Sequence, residues 1–448
     1  MALSRSEPLT PARRRRAGPL RPSILALLLL ALLAALPVAA MAQGGESEFS
    51  FDVAEFEQAP YRLGGLLELN AADVALNPDG ALYRLNFLDS EQRDSLHIYG
   101  AKLQLEGGYS WPWLDFNFRV QASGAHDELG SASETVVQEA YLAAQPTDTS
   151  TVELGKRVTK WGKGYAWNPV AFVDRPKDPS DPELAQEGFV LARGEWIRSF
   201  QGDLRNVSLT LVLLPVSEDV NADFGAEPAT NVAGKLTLLA WNTDIDLLAL
   251  GGGTRSARWG VDFSRNLGRT VEVHGEWART ADVRRPVLQP GGSVLQRSGA
   301  ADAWLLGLRY LTEFELTAIA EVYVNEAGYT REELEAFNRF VDEGDAAALN
   351  QAASTALSPY RQPNPGRRYG YLRLSQKDPF GWLYVSPGAT AIVNLDDSSR
   401  TLIGELSYVG ITNLELRGRI VWLQGERFSE FAEKPNARKA ELRLQWHF

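Results

Sequence analysis

The stretch KWGKGYAWNPVAFVDRPKDPSDPE, residues 160–183, brings together side chains that can select small solutes. Lysines come first and carboxylates follow, so the segment can present both signs of charge over a short distance. Its prolines exclude a strand or helix interior, and it is too aromatic for a solvated tether. The chemistry these residues support is sorting of solutes by charge and size, and we interpret them as a stiff loop that packs against a wall.

Catalytic chemistry has little support in the sequence. The chain has no cysteine and four histidines, namely His97, His126, His274 and His447. His126, beside Asp127 in a predicted external loop, is the histidine best placed for lipid chemistry, but no serine in a motif context accompanies it. Acidic loop stretches lack the ligand spacing of a calcium loop, and no haem, zinc or phosphate-loop motif is present. We predict no catalytic residue, no metal site and no cofactor.

The N-terminus has the pattern of an export signal. Four arginines at 13–16 precede a Leu/Ala-rich run over 24–36, and Ala40-Met41-Ala42 is a small-x-small cleavage site. We predict a cleaved signal peptide over 1–42 and a periplasmic segment over 43–60. Cleavage would remove six arginines and one glutamate, so 39 basic and 56 acidic residues remain, a net charge of −17. Such an acidic chain is a poor nucleic-acid binder, and we predict no nucleic-acid partner.

The elements that would position the loop are strands with period-two alternation. LDFNFRVQA, for example, puts Leu114, Phe116, Phe118 and Val120 opposite Asp115, Asn117, Arg119 and Gln121. About 18 such segments follow residue 60, most near the length that a tilted strand needs to cross a bilayer. Connections after even-numbered segments are short, and those after odd-numbered ones are more often long, such as 124–133, 160–187, 281–300 and 327–366. We therefore predict, over 61–448, an all-β transmembrane antiparallel up-and-down barrel of about 18 strands, with 16 as the alternative.

The last strand, AELRLQWHF, ends at Phe448 with Trp446, Leu444 and Leu442 on the same face. Here the chain resembles bacterial outer-membrane β-barrel proteins, whose final strand commonly ends in an aromatic residue read by the assembly machinery. Stretches like GK…WGKG…WNP…DP over 155–188 also resemble Gram-negative porin-like proteins of uncertain substrate. The resemblance implies localisation in the outer membrane of a Gram-negative bacterium. It also implies short periplasmic turns. The partners it implies are outer-membrane lipid and lipopolysaccharide, the assembly machinery and further copies of the chain.

A barrel of this size is too wide to be filled by its own side chains. Predicted inward residues carry both signs, including Glu276 and Glu321, and we read most of them as a solvated wall with cross-strand ion pairs. The arginines of this lumen wall are predicted to be Arg119, Arg157, Arg193, Arg258, Arg417 and Arg419. In general porins the third external loop bends inward and narrows the lumen, and loop 160–187 has that place here. Its predicted constriction residues are Lys160, Lys163, Tyr165, Trp167, Arg175, Lys177, Asp178 and Asp181.

Loop 327–366 is the second candidate for closing the barrel. Thr330 and Glu333 form a predicted capping box, and Leu334, Phe337 and Val341 share one helical face. The predicted function is a channel for small hydrophilic solutes, constricted by loop 160–187. Two alternatives stay open: an export or scaffold barrel around a polymer or a partner protein, and, with less support, an outer-leaflet lipid-modifying enzyme.

Overall fold

The computed structural model describes residues 59–88, 90–225, 227–354 and 359–448. The predicted signal peptide and most of segment 43–60 lie outside these residues. Within them the chain forms 18 antiparallel strands, each paired with its neighbours in sequence, and the last strand pairs with the first to close a barrel. The strands are β1 Tyr61–Leu76, β2 Ser95–Ser110, β3 Leu114–Asp127, β4 Gly130–Thr147, β5 Ser150–Arg157, β6 Phe189–Ser199, β7 Leu204–Val216, β8 Ala229–Ala240, β9 Thr243–Gly251, β10 Arg258–Leu267, β11 Val271–Leu288, β12 Val294–Leu311, β13 Leu316–Asn325, β14 Arg368–Gln376, β15 Val385–Asn394, β16 Arg400–Ile411, β17 Leu414–Gln424 and β18 Asn436–His447.

The predicted fold class and strand number are confirmed. Alternation has the expected result, because apolar side chains on one face of each strand point away from the barrel and stay exposed. On β17, Leu416, Ile420 and Trp422 are exposed, whereas Arg419, on the opposite face, is buried. Five tryptophans of the strands are also exposed, namely Trp259, Trp277, Trp304, Trp422 and Trp446.

The two ends of the barrel differ in their connections, as predicted. One end carries turns of a few residues, such as 148–149 and 241–242, and the other carries the long loops 77–94, 158–188, 217–228, 326–367 and 425–435. Two predicted long loops are wrong. Residues 124–133 and 281–300 are mostly strand, with turns at only 128–129 and 289–293. An 18-residue strand such as β11 is about 60 Å long, roughly twice the apolar thickness of a bilayer, so these hairpins project beyond it.

A helical layer lies at the long-loop end. It contains α1 Ala81–Asn86, α2 Arg331–Glu343 and α3 Ala346–Ser354. The capping box of Thr330 and Glu333 forms as predicted, and the apolar face of α2 packs into a buried cluster with α1, β11 and Tyr360. Among the residues described, none of the helices has the length and apolarity needed to cross a membrane.

Candidate functional site

Loop 158–188 runs inside the barrel and is bonded to its inner wall. It leaves β5 through a turn in which Asp174 accepts hydrogen bonds from the backbone N–H groups of Thr159, Lys160 and Trp161. Lys160 has a left-handed φ of 57° and an exposed side chain. This turn directs the next segment of the loop toward strands β9 to β14 rather than outward.

Glu276 of β11 is the first anchor of the loop. Its Oε1 accepts hydrogen bonds from the backbone N–H groups of Lys163 and Gly164, both at 2.6 Å, and from Asn168 Nδ2 at 3.2 Å. Its Oε2 accepts a hydrogen bond from Val170 N–H at 3.2 Å. A buried carboxylate is costly unless donors surround it, and the loop backbone supplies most of them.

Glu321 of β13 is the second anchor. Its two carboxylate oxygens accept hydrogen bonds from the backbone N–H groups of Tyr165 and Ala166, the latter at 2.9 Å. His274 Nε2 lies 2.9 Å from the same carboxylate. Two inner-wall carboxylates, on β11 and β13, thus hold one short segment of the loop backbone.

The two loop lysines inside the barrel have different partners. Lys163 Nζ lies 3.2 Å from Asp246 Oδ2 on β9 and 4.0 Å from Asp262 Oδ1 on β10. Burial alone would lower the pKa of Lys163, but the two carboxylates raise it above its ordinary value. Lys177 Nζ donates to the carbonyl oxygens of Gly164 and Tyr165, at 2.7 and 3.2 Å, and burial lowers its pKa. Lys163 therefore binds the wall, and Lys177 binds the loop itself.

Aromatic packing holds the middle of the loop. The ring of Trp167 stacks on Tyr323 with a centroid distance of 5.2 Å and also contacts Tyr369 and Tyr371, all three on the inner wall. Tyr165 contacts Tyr371 and donates a hydrogen bond to Glu183 at 2.8 Å, and burial raises its pKa. The predicted packing of loop aromatics on the wall is present at both positions.

The acidic part of the loop reaches a different portion of the wall. Asp181 Oδ2 lies 3.2 Å from Arg443 on β18 and 3.7 Å from Arg419 on β17. Asp178 accepts hydrogen bonds from Ser180 and so shapes a local turn. The Arg175 guanidinium forms ion pairs with Glu187 and Asp223 and lies over the Phe189 ring. The loop is thus anchored on β9 to β14 by its basic and aromatic part and on β17 and β18 by its acidic part.

The wall on β2 to β6 is lined by ion pairs of mixed sign. Arg119 pairs with Glu106 and Glu139 at 3.0 and 3.1 Å, and Arg193 pairs with Glu153 at 2.9 Å. Arg157 also pairs with Glu153 and lies over the ring of Tyr141. Beside these strands is a polar cavity of about 320 Å³, lined by Arg62, Leu63, Gly64, Glu106, Gly107, Asn117, Phe118, Arg119, Glu139 and Tyr141.

The remaining predicted wall arginines have separate environments. Arg417 pairs with Glu415 at 2.7 Å, and Arg419 binds the loop. Arg258 on β10 forms no ion pair within the part of the chain that the structure describes, and its Nε atom has no hydrogen-bond partner there. Sequence reasoning placed Glu276 and Glu321 on the inner face but did not assign them to the loop. It did not single out Asp246 or Tyr369, because alternation predicts which side of the sheet a side chain is on and not which distant residue it contacts.

Several segments pack together at the long-loop end; we use the name cap for residues 77–88, 326–354, 359–367 and 425–435. Loop 425–435 connects its parts. Glu433 Oε2 accepts a hydrogen bond from Ala81 N–H at 2.7 Å, and Phe428 C=O accepts one from Asn338 of α2 at 3.0 Å. Glu430 is 3% exposed; its Oε2 accepts hydrogen bonds from Tyr369 Oη at 2.6 Å and Asn394 Nδ2 at 2.7 Å. The cap therefore depends on buried carboxylates, as the loop does.

We expect the cap to loosen as pH rises toward neutrality. Burial raises the pKa of Glu430 from 4.5 to about 7, with Lys434 opposing the change. The closed cap then holds the proton more tightly than the open one, so its stability is greatest below pH 4.5 and falls as pH rises to about 7. The loss is about 3 kcal/mol, since each pKa unit corresponds to about 1.4 kcal/mol.

Hydrogen exchange of loop 425–435, corrected for intrinsic rates, measures this change between pH 5 and pH 8. Glu430→Gln removes the titrating group while keeping an acceptor for Tyr369 and Asn394. The same pH dependence in this variant would assign the effect to another group.

Polar side chains outside the loop bear on metal binding and catalysis. Among the described residues, no three His, Cys, Asp or Glu side chains are grouped so as to hold a metal ion. His126 Nδ1 lies 2.9 Å from Ser131 Oγ on the exposed β3–β4 hairpin. No carboxylate in the described ranges forms an ion pair with His126, so this hydroxyl–imidazole pair lacks the acidic group that would orient the imidazole for catalysis.

Comparisons with known proteins bear on the fold alone. No protein-family model matches the sequence, and no curated protein matches it either. Among solved structures, a triple mutant of the Rhodopseudomonas blastica porin is 12% identical, with 87% of this chain and 100% of that chain covered and a TM-score of 0.41. Pseudomonas aeruginosa OccK5 is 11% identical, with 86% and 98% covered and a TM-score of 0.49. Escherichia coli Wzi, described as a carbohydrate-binding β-barrel involved in group 1 capsule assembly, is 11% identical, with 85% and 83% covered and a TM-score of 0.48.

Proposed function

We propose that the protein is an outer-membrane channel for small hydrophilic solutes, with loop 158–188 as its constriction. The observation that carries the proposal is the anchoring of this loop inside the barrel, by Glu276 and Glu321 at one part of the wall and by Arg419 and Arg443 at another. A loop held at two parts of the wall narrows the lumen to a passage of fixed shape. A loop without these contacts would fluctuate in the lumen.

The wall left beside the loop suits hydrophilic solutes. On β2 to β6 it consists of paired arginines and glutamates, with a polar cavity between Arg62 and Tyr141. Because the two signs alternate, the wall presents hydrogen-bond donors and acceptors without a large net field of one sign. Neutral or zwitterionic solutes are the class that such a wall would pass most readily.

Localisation in the outer membrane belongs to the same proposal. The closed barrel leaves no sheet edge, and its outward strand positions are apolar over a band bordered by exposed aromatics such as Trp113, Trp241 and Tyr384. The export signal predicted at the N-terminus agrees with this location, as does the wiring of short turns and long loops.

A second candidate function is a sleeve for a partner or an exported polymer. The cap favours it, because its buried cluster joins α1, α2 and the β11–β12 hairpin across the long-loop end. A barrel whose extracellular end stays closed would not pass solutes on its own, and would need a partner to open it.

Single-channel recording in a planar bilayer with a salt gradient distinguishes these functions. We expect the wild-type protein to give small, stable conductance steps, and a variant with residues 161–186 replaced by a short Gly/Ser linker to give severalfold larger ones. Silence in the wild type that ends only when the cap is shortened would favour the sleeve. No conductance in any variant would overturn the channel.

A further inference from the structure

Asp246 and Asp262 form a buried carboxylate pair on the inner wall of the barrel. They lie directly opposite each other in the ladder of β9 and β10. Asp246 is 1% exposed and Asp262 is 0% exposed, so both carboxylates are fully buried. Two carboxylates this deeply buried and this close repel each other, so a cation must lie between them for both to be charged.

The cation present is the ammonium group of Lys163. It lies 3.2 Å from Asp246 and 4.0 Å from Asp262, and Lys235 of β8 lies 3.7 Å from Asp246 on the other side. Within the described residues, Asp246 Oδ1 and both carboxylate oxygens of Asp262 have no hydrogen-bond partner. The pair therefore has more acceptor capacity than Lys163 and Lys235 satisfy.

Lys163 differs from the other members of the cluster because it belongs to the loop and not to the wall. Its side chain is 25% exposed, so the ammonium can be approached from the lumen. Glu276, on the neighbouring strand β11, holds its backbone by accepting hydrogen bonds from the N–H groups of Lys163 and Gly164. The loop thus inserts an ammonium group into a site built by β9 and β10, as a ligand would.

We propose that Asp246 and Asp262 form a binding site for the primary ammonium group of an amine-bearing solute, and that Lys163 fills this site when no solute is bound. The inference rests on the proposed function, since the solute would reach the site through the lumen. A primary ammonium suits the site because it is compact and carries three N–H donors, whereas a guanidinium is wider and planar. An amine that displaces Lys163 would weaken the attachment of the loop and widen the passage.

Chemical rescue tests the site directly. Lys163→Ala removes the built-in ammonium, and we expect a lower melting temperature in detergent and faster hydrogen exchange over 162–170. Adding n-propylammonium should restore both toward the wild type, whereas tetramethylammonium at equal ionic strength, which has no N–H donor, should not. Lys377→Ala, which removes an exposed lysine in the short turn 377–384 at the opposite end of the barrel, is the control and should show neither the loss nor the rescue.

Two further measurements keep the test decisive. Adding Asp262→Asn to Lys163→Ala should abolish the rescue, because the site loses a carboxylate. In wild-type channels, adding n-propylammonium should raise the conductance severalfold more than adding potassium at the same ionic strength. Equal effects of the two ammonium ions, or rescue that persists without Asp262, would overturn the site. Melting temperature does not depend on conduction, so rescue in a protein that never conducts would support the site while refuting the channel.

Discussion

Glu276→Ala is expected to raise single-channel conductance severalfold and to make the current unsteady. The substitution leaves the backbone N–H groups of Lys163, Gly164 and Val170 without their acceptor. An unsatisfied buried donor costs about 1–3 kcal/mol, so the loss of the acceptor for three donors strongly disfavours the bound position of this segment. The loop should leave the wall and fluctuate in the lumen. Planar-bilayer recording at fixed salt measures both the mean current and its noise.

The matched control is Glu106→Ala, which removes an inner-wall carboxylate that pairs with Arg119 and has no contact with the loop. It should leave the noise unchanged. Glu276→Gln keeps one carbonyl acceptor and should fall between wild type and alanine. If Glu276→Ala and Glu106→Ala behave alike, the anchor does not control the passage.

Trp167→Ala is expected to destabilise the closed position of the loop by about 3–5 kcal/mol, the usual range for removing a large buried aromatic side chain. Trp167 is 8% exposed and packs against Tyr323, Tyr369 and Tyr371, so its loss leaves a cavity lined by three tyrosine rings. Hydrogen exchange of residues 163–170 measures the change as a higher opening rate.

Trp382→Ala serves as the control for this second prediction. Trp382 lies in turn 377–384 at the opposite end of the barrel and is 65% exposed, so its removal should leave exchange in the loop unchanged. Protection of 163–170 that survives Trp167→Ala would show that the backbone bonds to Glu276 and Glu321 hold the loop without the aromatic contacts.

Both expectations depend on contacts between residues far apart in sequence. Lys163 and Glu276 are 113 positions apart, and Asp181 and Arg443 are 262 apart. Alternation predicted that Glu276 faces inward, because facing depends only on a residue's own strand. It did not predict which inward carboxylate meets the loop, because that depends on strand register and on the path of the loop, neither of which leaves a local pattern.

The same distinction explains why two strand extensions were predicted as loops. Residues 130–133 and 281–285 have few large apolar side chains and were predicted as loops, although they belong to β4 and β11. Beyond the bilayer both faces of a hairpin meet water, so the alternation that identifies a membrane-crossing strand disappears while backbone pairing persists. Arg175, one of the predicted constriction residues, forms ion pairs with Glu187 and Asp223, which its own place in the sequence does not indicate.

The sequence by itself determined the parts of this protein that depend on local periodicity. The 18 strands and the order of their connections follow from alternation, because each strand has a different medium on its two faces. Helix α2 follows from its capping box, whose hydrogen bonds form within one helical turn. Only the tertiary structure decided where loop 158–188 is anchored, how Trp167 meets three tyrosines, and that Lys163 enters the Asp246–Asp262 pair. These contacts arise when ring closure brings distant strands around one lumen, and the free energy of burying charges there selects the donors that fit.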